Sequence, residues 1–212
     1  MTCNNGDKRT DANGAGKATG GLSCADGTDC AGIELKTPLG SEILSLHAGQ
    51  RVYLTGTIYT ARDEAHIEMK KCGIPFNPKG AVIYHCGPVV DTEKNVIVAA
   101  GPTTSARMNS LCGFLLDAGV CAFIGKGGMN RDVLEKLRGR AVYLAYTGGC
   151  AALAASRMKL KGVSYPHLGM AEAVWEIECD RLPLTVAMDS NGGDIYGEVA
   201  GFAKRSFSEI FP

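Results

Sequence analysis

Between residues 81 and 146 short apolar, β-branched runs alternate with stretches of helical period, and this alternation constrains the fold more than any other feature. Residues 51–58 alternate as a strand, and residues 61–72 read as a helix closed by Gly73. Residues 81–90 and 95–100 are strand-like and joined by a polar turn over 91–95. Met108, Leu111, Cys112, Leu115 and Leu116 fall on one helical face that stops at Gly119. Residues 121–125 and 140–146 read as strands around a helix over 130–137 with Asn130 as its N-cap. Residues 149–161 are Ala-rich and predict a helix. Residues 174–179 and 184–189 predict strands around a turn at Leu182-Pro183, followed by a turn at Asn191-Gly192-Gly193. Strand–helix alternation in the middle implies parallel pairing through βαβ crossovers, and strand-rich ends imply a mixed sheet or a second β layer.

Residues 1–32 break this pattern. They carry seven glycines, three cysteines and a single large aliphatic residue, Leu22. Such a segment buries too little apolar surface to offset its ordering entropy, so it reads as a flexible extension of a domain over 33–212. Lys and Arg number 22 and so do Asp and Glu, which argues against a generic nucleic-acid binder. There is no apolar run of 18 residues and no N-terminal apolar segment, so neither a transmembrane helix nor a secretion signal is predicted. Nine cysteines without C-x-x-C spacing then suggest reduced thiols in a cytoplasmic protein, with the six beyond residue 70 serving as small core residues.

Three segments could carry chemistry. In Gly101-Pro102-Thr103-Thr104-Ser105-Ala106-Arg107-Met108 an apolar strand gives way to a predicted helix, whose free N–H groups attract anions. Thr103 and Arg107 are four apart, on one face of its first turn, although an ordinary N-cap beside a surface arginine fits the spacing equally well. Arg62, Asp63 and His66 follow another strand, where an acid could orient the imidazole or the guanidinium could grip a carboxylate; a capped helix with solvated charges fits too. Lys126 stands between Gly125 and Gly127 at a third strand end, without P-loop spacing. If these strands are parallel, Arg62, Arg107 and Lys126 could share one sheet edge and hold a small dianion. His85 lies in an apolar run and reads as a core histidine.

Taken in order, Tyr59-Thr60-Ala61-Arg62-Asp63-Glu64-Ala65-His66, the Gly101–Met108 segment and Ile124-Gly125-Lys126-Gly127 resemble the β subunit, or C-terminal domain, of class I (iron–sulfur) fumarate hydratases and L-tartrate dehydratases. The stretch from Gly169 through Trp175 to Gly192 is also similar. The resemblance implies an α/β fold of the swivelling β/β/α type, with a mixed, largely parallel sheet and flanking helices. It implies reversible hydration of a small dicarboxylate, fumarate/L-malate first, with L-tartrate or a methylated dicarboxylate as the alternative. It implies that Arg62, Arg107 and Lys126 grip carboxylates, that Thr103 handles the carbon-bound proton, and that Asp63, His66 and Thr104 support them. It places an oxygen-sensitive [4Fe–4S] cluster, with an open Lewis-acidic iron, on a partner α subunit, so no cysteine here is a ligand. The chain would then be inactive alone and would work in a hetero-oligomer, with a self-dimer possible in the partner's absence. A non-catalytic anion-binding module is the competing reading from a different class.

Overall fold

The alternating runs become strands β1 (Ile33–Lys36), β2 (Arg51–Thr60), β3 (Val82–Tyr84), β4 (Val89–Asp91), β5 (Val96–Ala99), β6 (Ala122–Gly125), β7 (Val142–Ala145), β8 (Met158–Ser164) and β9 (Val174–Met188). The helices are α1 (Asp63–Cys72), α2 (Gly113–Ala118), α3 (Arg131–Leu137), α4 (Ala151–Ala155) and α5 (Ile195–Ile210). The computed structural model describes residues 32–210. The extension expected over residues 1–32 lies outside the described residues except for Gly32.

Strands β2, β3, β6 and β7 lie side by side and parallel, joined through α1, α2 and α3. Strand β9 pairs antiparallel with β7 and also with β2, so these five strands close into a barrel-like ring. Strand β1 extends β2 in parallel, β8 extends β9 antiparallel, and β4 and β5 form a separate hairpin. The fold is therefore mixed α/β, as its pattern predicts, with the ring closed by one long strand.

The continuous burial of β3, β6 and β7 follows from this arrangement. Val82, Tyr84, Ala122, Ile124, Val142 and Leu144 join one apolar cluster, while Ile83, Phe123 and Tyr143 join another with α1, α2 and α3. Strands covered on both faces carry apolar residues at consecutive positions rather than alternate ones.

Four local expectations need correction. The stretch read as one helix through Met108 and Leu116 is split into a 3₁₀ turn (Ser105–Met108) and α2. Its first residues are drawn into strand-like pairing instead, with an isolated bridge between Thr104 and Lys126. The Ala-rich helix stops at Ala155, and from Met158 the chain alternates and pairs with β9, a tertiary contact that overrides local propensity. The two strands expected around Leu182-Pro183 are one bent strand, β9. Arg181, at φ 47°, and a register shift opposite Leu54 and Gly56 absorb the bend, which lets a proline sit in the strand. Cys72 is exposed, Cys121 and Cys150 are half-buried, and only Cys86, Cys112 and Cys179 are core residues. Helix α5 adds a final element that the turn signal at Asn191-Gly192-Gly193 does not predict. Among the described residues no helix is long and apolar enough to cross a membrane.

Candidate functional site at the strand ends

Parallel strands have their C-terminal ends on the same side, and the three segments follow β2, β3 with its β4–β5 excursion, and β6. Beyond the end of β3, His85 N–H donates to Ile124 O at 2.8 Å. The chain then returns through Pro102 and slots between these strand ends. Thr103 N–H donates to His85 O at 2.6 Å, Lys126 N–H to Thr103 O at 3.2 Å, and Ser105 N–H to Lys126 O at 3.0 Å. The backbone groups of Thr103 and Ser105 are thus used in pairing. The anion-attracting helix N-terminus predicted here is absent for that reason. What remains is a short extended rung with Thr103 half-buried, Thr104 exposed and Ser105 fully buried.

The cations are brought to this edge, but two of them already have acidic partners. Arg107 donates to Asp63 through Nε at 3.2 Å and Nη2 at 2.5 Å, a forked pair joining the 3₁₀ turn to the start of α1. Arg62 Nε lies 3.1 Å from Glu172 Oε1, a charge contact rather than an aligned hydrogen bond. The other oxygen of Glu172 accepts the Glu64 N–H at 3.1 Å, satisfying one free donor at the head of α1. Gly87 makes room for Arg62: a Cβ there would lie 2.8 Å from Arg62 Nη1 and 2.6 Å from Ala171 O. Lys126 is exposed, and among the described residues its ammonium has no partner. The half-buried Thr103 hydroxyl likewise has no partner among the described residues.

Two buried histidines underlie the edge. His66 Nδ1 lies 2.7 Å from Arg62 O; a carbonyl can only accept, so Nδ1 carries the proton. Burial holds the His66 imidazole below its ordinary pKa, outweighing the Arg62 carbonyl and the Asp63 charge. His85 Nδ1 lies 2.8 Å from Ser105 Oγ, and burial, with His66 nearby, holds its pKa well below the ordinary value. The two rings are 5.6 Å apart. His66 is therefore a neutral buried group touching the Arg62 backbone rather than a surface acid or base. Glu172, Gly87 and Tyr143 have no local sequence signal that marks them. Ser105 is visible as a hydroxyl in the right segment but not as an inward-pointing one.

The described residues do not fit an iron–sulfur cluster. Among them no three His, Cys, Asp or Glu side chains gather as a metal-holding group. Burial pushes the thiols of Cys86 and Cys179 up to about 12, whereas cluster ligands must be thiolates. A cleft of about 630 Å³ lined by Leu153, Arg157, Lys159 and Asp180 shares no residue with the edge.

Comparison with known proteins gives the family of the chain. The profile of the family described as fumarase C-terminus matches residues 12–199. The chain is 46% identical over 181 residues to a Methanocaldococcus jannaschii protein named "Putative L(+)-tartrate dehydratase subunit beta", covering 80% of this chain and 93% of that one. It is 37% identical over 185 residues to the L(+)-tartrate dehydratase subunit beta of Escherichia coli K12, covering 82% and 90%. It is 35% identical over 185 residues to a Geobacillus stearothermophilus protein named "Putative fumarate hydratase class I", covering 84% of this chain but 36% of that longer one. This chain belongs to the fumarase C-terminus family.

Proposed function

We propose that this chain is the β subunit of a hydro-lyase that adds water to, or removes it from, a small dicarboxylate. The observation that carries the reading is the meeting of Arg62, Thr103, Arg107 and Lys126 at one edge, although they follow three different strands. In this reading the guanidinium groups and the Lys126 ammonium hold the carboxylates. They also stabilise the charge that builds on a carboxylate as the neighbouring carbon loses its proton. Thr103 takes that proton in its alkoxide form, which the neighbouring positive charge has to stabilise, because the neutral hydroxyl is a poor base at neutral pH; taking the proton returns it to the hydroxyl. Asp63 keeps Arg107 in place, while His66 and Thr104 support the edge. Domain 33–212 is assigned to the swivelling β/β/α type with residues 1–32 as its extension.

The iron–sulfur cluster of this enzyme class is, in the same proposal, carried by a partner α subunit in a cytoplasmic hetero-oligomer, and this chain alone is inactive. A cationic edge with one unpaired ammonium is what half of a shared site would present. Two substrate readings remain in play. Fumarate/L-malate fits a small dianion held by two arginines and a lysine. L-tartrate is favoured by the names of relatives of similar length to this chain. Reconstitution with a cluster-bearing partner and parallel assays of L-malate, fumarate and L-tartrate test both. Turnover of one diacid is expected, lost in Arg107→Ala and Thr103→Ala. No turnover of any of them by an iron-loaded complex refutes the hydro-lyase, and diacid binding without turnover would favour an anion-binding module.

A further inference from the structure

Beside the backbone rung of Thr103 and Lys126 lie buried polar groups with no part in holding a diacid. Ser105 Oγ is fully buried and touches two side chains, His85 Nδ1 at 2.8 Å and the Tyr143 hydroxyl at 3.1 Å. Tyr143 Oη also lies 2.7 Å from Gly127 O. The glycine at 125 is what admits this cluster: a Cβ there would sit 1.9 Å from Ser105 Oγ and 3.3 Å from His85 Nδ1.

Counting protons fixes the direction of the chain. Tyr143 has one hydroxyl proton, and Gly127 O, at the shorter distance, can only accept it. The contact between Tyr143 and Ser105 is then made with Ser105 donating. Ser105 has no second proton, so His85 Nδ1–H must donate to Ser105. One ordered chain therefore runs from the end of β3 (His85), through the inserted rung (Ser105), to β7 (Tyr143) and on to the loop after β6 (Gly127). Each member is tied to a segment that carries a proposed site residue. The His85 carbonyl holds the Thr103 N–H, and Ser105 is two residues beyond Thr103. Gly127 adjoins Lys126, whose own backbone brackets Thr103 and Ser105.

We propose that His85, Ser105 and Tyr143 act together as positioning residues that hold Thr103 and Lys126 in fixed register across the ends of β3 and β6. None of the three is a catalytic residue. Their kinetic consequence rests on the hydro-lyase reading, but their geometric consequence does not. A buried chain of this kind restricts the rung to one arrangement, since each break leaves a buried polar atom unpaired. Displacement of a reacting group by about 1 Å can lower a rate ~100-fold.

The test uses two variants, so that one folding failure does not decide it. Tyr143→Phe keeps the ring and removes the hydroxyl; Ser105→Ala removes the central oxygen. In the full-length chain labelled with ¹⁵N-histidine, His85 is expected in its Nδ1–H form. Either variant should shift the backbone amide resonances of Thr103 and Lys126. In the complex with the cluster-bearing partner, each variant should lower kcat/KM ~10- to 100-fold. The double variant should lose little more than the worse single one, because both cut the same chain. An Nε2–H His85, unmoved Thr103 and Lys126 amides in both variants, or kcat/KM within about twofold of wild type in both would each overturn the proposal. A wild-type complex without turnover would refute the hydro-lyase reading instead, and the tautomer and amide shifts would still decide this one.

Discussion

Gly125→Ala adds one methyl group at the point where the buried polar chain passes closest to the sheet. Gly125 is not in the left-handed region, so alanine is acceptable to the backbone and any effect is steric. Reducing the freedom of the unfolded chain favours the variant by about 0.4–1 kcal/mol. Against this, the new Cβ would lie 1.9 Å from Ser105 Oγ and 3.2 Å from Ser105 Cβ, so Ser105 has to move. Forcing a methyl into a packed interior costs about 1–3 kcal/mol. Driving Ser105 off His85 leaves a buried imidazole N–H unpaired, at about 1–3 kcal/mol more. The net loss centres near 3 kcal/mol, or about 6–12 °C in Tm for a domain of this size. Thermal melts of the full chain measure it. Two controls separate this clash from a general intolerance of alanine. Gly127→Ala meets no atom within 4 Å and carries only the cost of its positive φ of 71°, about 1–2 kcal/mol. Ser105→Gly in the Gly125→Ala background removes the clashing atoms and should recover part of the loss. A Gly125→Ala chain that melts at or above wild type, or a double variant with no recovery, refutes the reasoning.

The buried histidines predict an acid-side weakness. His85 is held neutral well below its ordinary pKa, so as pH falls below about 6.5 the unfolded chain takes up a proton that the native chain does not. Stability is therefore present above about 6.5 and lost below it, at about 1.4 kcal/mol per pH unit, with His66 acting in the same direction. Urea melts at pH 7 and 5.5, a window above ordinary carboxylate titration, should show a lower midpoint at 5.5; equal midpoints would count against it. Lys126→Ala should raise KM for the diacid ~10- to 100-fold, the worth of a charged hydrogen bond, while Tm stays put because the ammonium has no partner in the described protein. A KM within about twofold of wild type would remove Lys126 from the binding edge. Asp189 accepts N–H groups from Ala48, Asn191 and Gly193, each at 2.8 Å, so Asp189→Ala should cost about 2–4 kcal/mol in chemical denaturation and leave the strand-end residues untouched; a loss under about 0.5 kcal/mol would show the turn holds without it.

The sequence discloses the parts of this molecule whose cause is local. Apolar runs such as Val82-Ile83-Tyr84 must be buried on both faces, and Asn130 caps the helix it precedes, its Oδ1 accepting the Val133 N–H at 3.1 Å. The common edge for Arg62, Arg107 and Lys126 is legible too, because parallel strands oblige their following loops to lie on one side. Features set by pairing over long separations are not legible. Nothing near β9 states that it will close the ring with β2, and the Ala-rich run gives no notice that β9 will claim the residues after Ala155. The same limit governs the electrostatics. Read along the chain, the edge holds three unopposed cations. Folding brings Asp63 to Arg107 across 44 residues and Glu172 to Arg62 and the head of α1, where its bond to Glu64 spans 108. The edge is thus one free ammonium beside two guanidinium groups already oriented by carboxylates. Such pairs restrict the motion of Arg62 and Arg107 and lower the net positive charge from three to one. One forked guanidinium at Arg107, a charge-paired one at Arg62 and a modest net charge favour a ligand whose own carboxylates match their geometry over one that merely carries charge.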